Sequence, residues 1–350
     1  MAGFNIANRK IGGKAPAFII AEIGANHNGD PILARSMVEA AAAAGVDAVK
    51  FQTYTAQELV ADTGRLVTWG PKGSEKTEPI GEMFDRVTLH RDAHNDLLRF
   101  AESLGLIAFS TPFSIEGVRF LDKLGVPCFK IAASDVTYLD LLEEAAMPRK
   151  PVLLSLGKCT LAEADNAIET LIDAGCKDLG ILHCVAKYPS PMEEMNLRAI
   201  PSLASIYPQC VVGFSDHSQG LTASLGAVAL GAKIIEKHFT LDRSMNGPDH
   251  WFSMDPNEMR SLISEIRALE CAMGQPGKRV VPCEKDEKLT STRSLVLNQD
   301  VKIGTVIASD HIKVVRPGWG IQPGDKDKVI GLKVQCDLAA NTVLEWKYFK

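Results

Sequence analysis

Short apolar runs and longer amphipathic stretches alternate along most of this chain. The short runs fall at 17–21, 48–51, 107–110, 127–131, 152–156, 179–184, 211–214 and 233–235. They are brief and rich in aliphatic and aromatic residues, as buried strands are. Helical spacing of apolar positions covers 31–44, 93–104, 115–124, 138–146, 161–174, 197–206 and 222–230, and a last helix over 256–273 follows the final run. Gly45, Gly105, Gly125, Gly175 and Gly231 each close a helix just before the next strand, where a left-handed cap residue belongs. Eight strands and eight helices in alternation over about 260 residues predict an α/β fold, a (β/α)8 barrel. A doubly wound open sheet competes. No G-x-G-x-x-G follows the first run, however, and such sheets usually hold about five to seven strands.

Three stretches break the rhythm. Residues before the first strand have room for a hairpin. Residues 54–90 read as a long polar loop that would hang over the catalytic face, and loops of that length in compact domains usually serve function. Beyond residue 278 the pattern changes. Residues 279–290 read as a solvated linker, and 291–350 read as a small β-rich module with strand-like pieces at 294–297, 312–315, 329–332 and 343–344. Its most unusual segment, Arg316-Pro-Gly-Trp319, presents an Arg and a Trp on turn-prone backbone.

Composition narrows the function. A formal net charge of -5 and a pI near 5.9 argue against a nucleic-acid partner. No apolar stretch approaches the roughly 18 residues of a membrane span, and the first ten residues lack the apolar core of a signal peptide. The 8 cysteines are scattered without a C-x-x-C pair, so they read as free thiols of a cytoplasmic protein.

Chemistry in a barrel of this kind sits where the strands end. The first strand delivers Glu22, then Asn26 and His27. The second gives Lys50 and Gln52 on one face, the third Ser110 and Thr111, the fourth Lys130, the fifth Ser155 and the sixth His183 through Tyr188. Successive strand residues face opposite ways, so Ser215 and His217 share a face of the seventh strand, as Glu236 and His238 do on the eighth. Two histidines at equivalent strand ends fit either satisfied core residues or a shared ligand, and imidazole is the commonest metal ligand. Mn, Zn, Fe and Co all remain open. Lys50 and Lys130 would project into the same mouth with no obvious paired anion, so their repulsion calls for a negatively charged ligand. The hydroxyls of Thr111, Ser155 and Ser215 complete an anion-binding set. Glu22 and Glu236 are candidate acid/base groups. Aldol chemistry, phosphate-ester hydrolysis and enolpyruvyl condensation all suit this inventory.

The segments around Glu22 to Gly29, Lys50-Phe-Gln52, Ser110-Thr-Pro-Phe113, Lys130-Ile, His183-Cys, Tyr188-Pro, Gly213-Phe-Ser-Asp-His217 and Glu236-Lys-His-Phe239, taken in order, resemble the sialic acid synthase family. The C-terminal module with Arg316-Pro-Gly resembles that family's antifreeze-like (SAF) domain. The resemblance implies condensation of phosphoenolpyruvate with the open-chain aldehyde of an N-acylated amino sugar, giving a nine-carbon 3-deoxy-2-ulosonic acid. It implies phosphoenolpyruvate held by Lys50, Lys130, Thr111, Ser155 and Ser215. It further implies Mn2+, or Mg2+, on His217 and His238. Gln52, Tyr188 and Asp249 would contact the sugar. Glu22, Lys50, Lys130 and Glu236 would serve catalysis. A domain-swapped, head-to-tail homodimer is implied too, with Arg316 of one chain reaching the sugar in the other's barrel. Two departures concern the sugar. Lys130-Ile-Ala-Ala133-Ser134-Asp135 stands where sialic-acid-forming members usually read Lys-Ile-Gly-Ser-Gly-Glu, and Ala186 stands where Asn or Ser is common. Fewer hydrogen-bonding groups there leave sugar hydroxyls unread, which keeps legionaminate- and pseudaminate-type acceptors, diacetamido 6-deoxy sugars, in view.

Overall fold

Eight parallel strands close on themselves in the computed structural model, which describes residues 2–350. A two-stranded antiparallel hairpin comes first, β1 (Gly3–Ile6) with β2 (Arg9–Gly12). The barrel is built from β3 (Phe18–Glu22) and β4 (Ala48–Thr53), then β7 (Ile107–Pro112), β8 (Phe129–Ile131), β9 (Val152–Leu156), β10 (Leu179–Cys184), β11 (Val211–Asp216) and β12 (Ile234–His238), with β12 pairing back to β3. The intervening β5 (Leu66–Trp69) and β6 (Lys76–Pro79) form a separate hairpin. Every residue of β3, β7, β9, β10, β11 and β12 is buried, because helices cover the outside and side chains fill the inside. That is why these strands read as continuous apolar runs rather than alternating ones. Phe18, Phe51, Phe109, Phe129, Phe214 and Phe239 are fully buried. Gly213 lies where the packing admits no side chain: a Cβ there would sit 2.7 Å from that of Ile234.

The helices begin and end on local chemistry. Asp30 caps Pro31–Ala44 by accepting from the Ile32 amide, and Gly45 ends it at φ 90°. Thr160 and Glu163 form a reciprocal capping box ahead of Leu161–Asp173. Several strands outrun their apolar segments, since β4, β7, β11 and β12 keep pairing through Thr53, Pro112, Asp216 and His238. The ladder is held by backbone, so polar residues at its end stay in register.

Residues 54–90 are not the open loop expected. They hold a short helix (Ala56–Leu59), the β5–β6 hairpin and a helix over Ile80–Val87. A charge cluster organises them: buried Glu78 accepts from Arg86 at 2.7 and 2.6 Å and from the Trp69 indole at 2.7 Å, with Lys76 at 3.0 Å.

Residues 2–274 form one compact unit and 275–350 a second. In the second, the stretch read as linker carries an exposed helix, Lys285–Ser291. The antiparallel pair β13 (Ser294–Leu297) and β14 (Ile312–Val315) packs on its own core of Leu295, Leu297, Ile307, Ile321, Val329 and Leu344. The piece read as strand at 329–332 is instead the end of helix Lys326–Val329 and a turn, and 343–344 contributes only an isolated bridge, Val343 to Val296.

Candidate active site at the strand ends

Register places the polar strand ends at one level. Glu22 on β3 lies opposite Lys50 on β4 and His238 on β12, while Ser215 on β11 faces Glu236 on β12. Their side chains line a cavity of about 280 Å³ together with Gln52, Thr111, Lys130, Ser155, Tyr188 and His217. Ten strand-end residues singled out in the sequence, and Tyr188 just beyond β10, therefore meet in one place.

One half of the cavity is ionic. Lys50 Nζ stands 2.7 Å from Glu22 Oε2 and 3.8 Å from Glu236 Oε1, and it donates to Thr111 Oγ1 at 2.8 Å. The expectation that Lys50 lacks a paired anion is thus corrected: Glu22 reaches it from the neighbouring strand and Glu236 from the next strand but one. Burial works against the Lys50 charge, but Glu22 and Glu236 outweigh it and raise its pKa. Lys130 differs. It donates to Ser155 Oγ at 2.6 Å and to the Ile131 carbonyl at 2.8 Å, both neutral acceptors, and burial lowers its pKa. Glu236 Oε1 accepts from Ser215 at 3.3 Å, while its Oε2 is buried without a hydrogen bond. Burial alone would raise the Glu236 carboxyl, yet Lys130 and Lys50 hold it below its ordinary value. Burial raises Glu22 to about 7, against Lys50 and with a push from Glu236, while Gln52 donates to its Oε1 at 2.7 Å.

The other half is aromatic. The His217 and His238 rings lie 5.4 Å apart between centroids, with Tyr188 4.3 Å from the first and 5.7 Å from the second. Burial keeps both imidazoles neutral, His217 at about 4 and His238 well below its usual value. His217 Nδ1 lies 3.1 Å from the Val185 carbonyl, which takes its proton and leaves Nε2 with a lone pair. His238 Nδ1 is buried without a hydrogen bond, 3.6 Å from Asp249 Oδ2, and burial raises the Asp249 carboxyl to about 7. Neutral imidazoles with an orphaned nitrogen suit a cation that takes its remaining ligands from water or substrate. Among the described residues no group of three or more His, Cys, Asp or Glu side chains could hold a metal ion.

Behind these strand ends, Asp216 and Lys237 point to the outer face and pair at 2.8 Å, side chains 0% and 3% exposed. Asp216 also accepts from Ser218 and Ser224. The pair ties β11 to β12 directly beneath His217 and His238.

Some candidates fall elsewhere. Asn26 donates to the Phe239 carbonyl and Ser253, His27 accepts from the Gly29 amide, Ser110 bonds Thr53, and His183 bonds the Met195 carbonyl. All four are buried structural groups. Arg316 is exposed in the second unit. The sequence reading missed Lys158 and Phe84 on the cavity wall, and it carried Phe113 only inside a motif. Lys158 follows β9 at φ 56°, a conformation no spacing announces, and Phe84 comes from the segment taken for open loop.

The model of the NeuB family matches residues 37–278, and that of the SAF domain matches 292–350. The chain is 37% identical over 354 residues to the N,N'-diacetyllegionaminic acid synthase of Legionella pneumophila, covering 98% of this chain and 99% of that one. It is 34% identical over 331 residues to the pseudaminic acid synthase of Helicobacter pylori, covering 94% and 96%. A crystal structure of N-acetylneuraminic acid synthetase from Leptospira borgpetersenii matches with a TM-score of 0.74 at 33% identity, over 81% of this chain and 94% of that one. No helix among the described residues is long and apolar enough to cross a membrane.

Proposed function

The chain belongs to the NeuB family, and its relatives include acid synthases; from that premise we propose that this enzyme condenses phosphoenolpyruvate with the open-chain aldehyde of an N-acylated amino sugar. The product is a nine-carbon 3-deoxy-2-ulosonic acid, with phosphate released. The observation that carries the reading is Lys130: a buried ammonium bonded only to neutral oxygens, in one cavity with two neutral imidazoles. Glu236 acts on this ammonium through space, but no carboxylate bonds it, and a buried cation left so is costly unless a ligand completes it. Phosphoenolpyruvate, with its phosphate and carboxylate, supplies that charge.

Lys130 and Lys50 bind the anion. Thr111 and Ser155 accept from the lysines, which leaves their own O–H groups free to donate to it. Glu236, kept ionised, faces positive charge as it builds at C2 of the enolpyruvyl group. Mn2+, or Mg2+, on His217 and His238 would supply Lewis acidity to the acceptor aldehyde. As C3 bonds to the aldehyde carbon, the aldehyde oxygen gains a proton and water adds at C2. Glu22, near 7, is poised to take the proton of that water. The C2–O bond to phosphate then breaks, yielding the 2-keto group. Gln52 orients Glu22, and Tyr188 and Asp249 contact the sugar.

N-acetylmannosamine is one acceptor of the right class. A second reading, a diacetamido 6-deoxy sugar as in legionaminate or pseudaminate synthesis, is favoured by Ala133 and Ala186, whose methyl groups line the cavity where hydroxyl-reading side chains would stand. The working form we propose is a cytoplasmic, domain-swapped homodimer in which Arg316 serves the partner's barrel. His217→Ala and Lys130→Ala should each abolish phosphate release with the far-UV circular dichroism unchanged. Normal turnover by His217→Ala in chelator would remove the metal from this scheme.

A further inference from the structure

Lys158 stands on the wall of the strand-end cavity, together with Lys130, Ser155 and Ala133. The backbone that carries it is tightly constrained. Gly157, just after β9, is packed so closely that a Cβ there would sit 3.0 Å from Cys184 Sγ and 3.1 Å from Ala133 Cβ. The chain therefore threads between the ends of β8 and β10 before it turns, and the turn falls on Lys158 at φ 56°. Glycine and asparagine take that conformation readily, and lysine seldom does. Strain of this kind gathers at ligand sites.

The charge of Lys158 is unanswered. Lys50 is bonded to Glu22 and Thr111, and Lys130 to Ser155 and the Ile131 carbonyl. The Lys158 ammonium, on an exposed residue, has no hydrogen bond or ion pair among the described residues. Asp135 feels it only through space: its Oδ2 is buried without a hydrogen bond, and burial raises that carboxyl to about 6 against Ser134, Lys130 and Lys158. Lys130 and Lys158 act together on a second group, since burial raises the Cys184 thiol to about 12 and both ammoniums oppose it. The two cations thus flank one region at the ends of β8, β9 and β10. Around it Ala132, Ala133 and Ala186 offer only methyl groups, and the Ser134 hydroxyl is engaged by Asp135. Two ammoniums with no carboxylate bonded to either repel unless an anion lies between them. A phosphate monoester carries about −1.5 to −2 at neutral pH, more than a carboxylate, and presents three acceptor oxygens. We propose that Lys158 is a further phosphate-binding residue of this cavity, gripping the phosphoryl group of phosphoenolpyruvate from the mouth while Lys130 holds it from inside. The inference rests on the condensation reading above, and it assigns Lys158 to the leaving group rather than to the carboxylate or the sugar.

Turnover and phosphate binding, read separately on the full-length protein, distinguish this inference from that reading. Lys158→Asn removes the ammonium and tolerates the left-handed backbone, and Lys158→Arg returns the charge. In phosphate release at saturating sugar, Lys158→Asn should raise the KM for phosphoenolpyruvate about tenfold, the loss of one hydrogen bond to a charged group. The KM for the sugar should hold, and Lys158→Arg should recover most of the loss. The second readout is calorimetric titration with inorganic phosphate and with pyruvate, in Mg2+ and without sugar. Lys158→Asn should weaken phosphate about tenfold and leave pyruvate unchanged. If phosphate weakens so but phosphoenolpyruvate is never consumed with any sugar, the condensation reading fails and the phosphate role stands. If phosphoenolpyruvate is consumed while Lys158→Asn leaves both its KM and the phosphate affinity intact, the role is overturned and the condensation reading survives. Weaker pyruvate with phosphate untouched would overturn it as well, placing Lys158 at the carboxylate.

Discussion

Lys50 and Lys130 lie on alternate apolar strands of the barrel in similar sequence, yet their charges are met differently. Lys50 holds Glu22 and Glu236 together, and its removal strands two buried carboxylates. Lys130 has only neutral acceptors. Lys50→Met should therefore lower stability by about 3–5 kcal/mol, as breaking a buried pair does. Lys130→Met removes only a through-space charge from Glu236 and no bonded ion pair, so it should cost less stability than Lys50→Met while phosphate release falls by about 10²-fold or more. Thermal melts set beside phosphate assays check both, and a parallel loss of stability in the two variants would contradict the distinction. Two other buried groups contribute to the acid response. His27 and His250 are held near 4 by burial. His27 Nδ1 accepts the Gly29 amide and has no room for a second proton there. Between pH 6.5 and 4 the unfolded chain protonates these imidazoles and the native one does not, so stability falls as pH falls through that window. His27→Gln should flatten the fall in a series of denaturant titrations. The sequence placed both lysines at the mouth. It could not assign their partners, which depends on which strands are neighbours and on register.

At the scale of elements, alternation along β11 and β12 sends Ser215, His217, Glu236 and His238 inward and turns Asp216 and Lys237 outward. The inward set was legible from period two alone. The outward pair was not, since a charge following an apolar strand reads as surface until a helix covers it. Asp216→Ala leaves Lys237 buried without its anion and should cost about 3–5 kcal/mol. Asp216→Leu with Lys237→Met should recover much of the loss in chemical denaturation. The β5–β6 hairpin was equally hidden. Its order comes from Glu78 gathering Arg86, Lys76 and Trp69, and a local density of charge without an apolar period looks like loop.

For the molecule as a whole, the strict strand–helix alternation made the barrel legible because parallel strands need crossover helices and each leaves its own signature. The second unit was legible only as β-rich, since its few short strands and turns carry weak periodicity. The role proposed for Arg316 rests on resemblance alone, because a role across a dimer would leave no spacing within one chain. Mixing tests that role. Arg316→Ala and Lys130→Ala chains, each inactive alone, should regain up to about a quarter of wild-type activity after co-refolding, the share expected when one intact site forms in each mixed pair. No recovery in a mixture shown to contain mixed dimers would place Arg316 outside the site.

The condensation itself is tested most directly by phosphate release from phosphoenolpyruvate in Mn2+ with a panel of acylated amino sugars, the product mass read alongside. One phosphate per product is required, with the product equal in mass to the sugar plus pyruvic acid. Phosphoenolpyruvate left intact with every sugar, while the metal is bound, would contradict it.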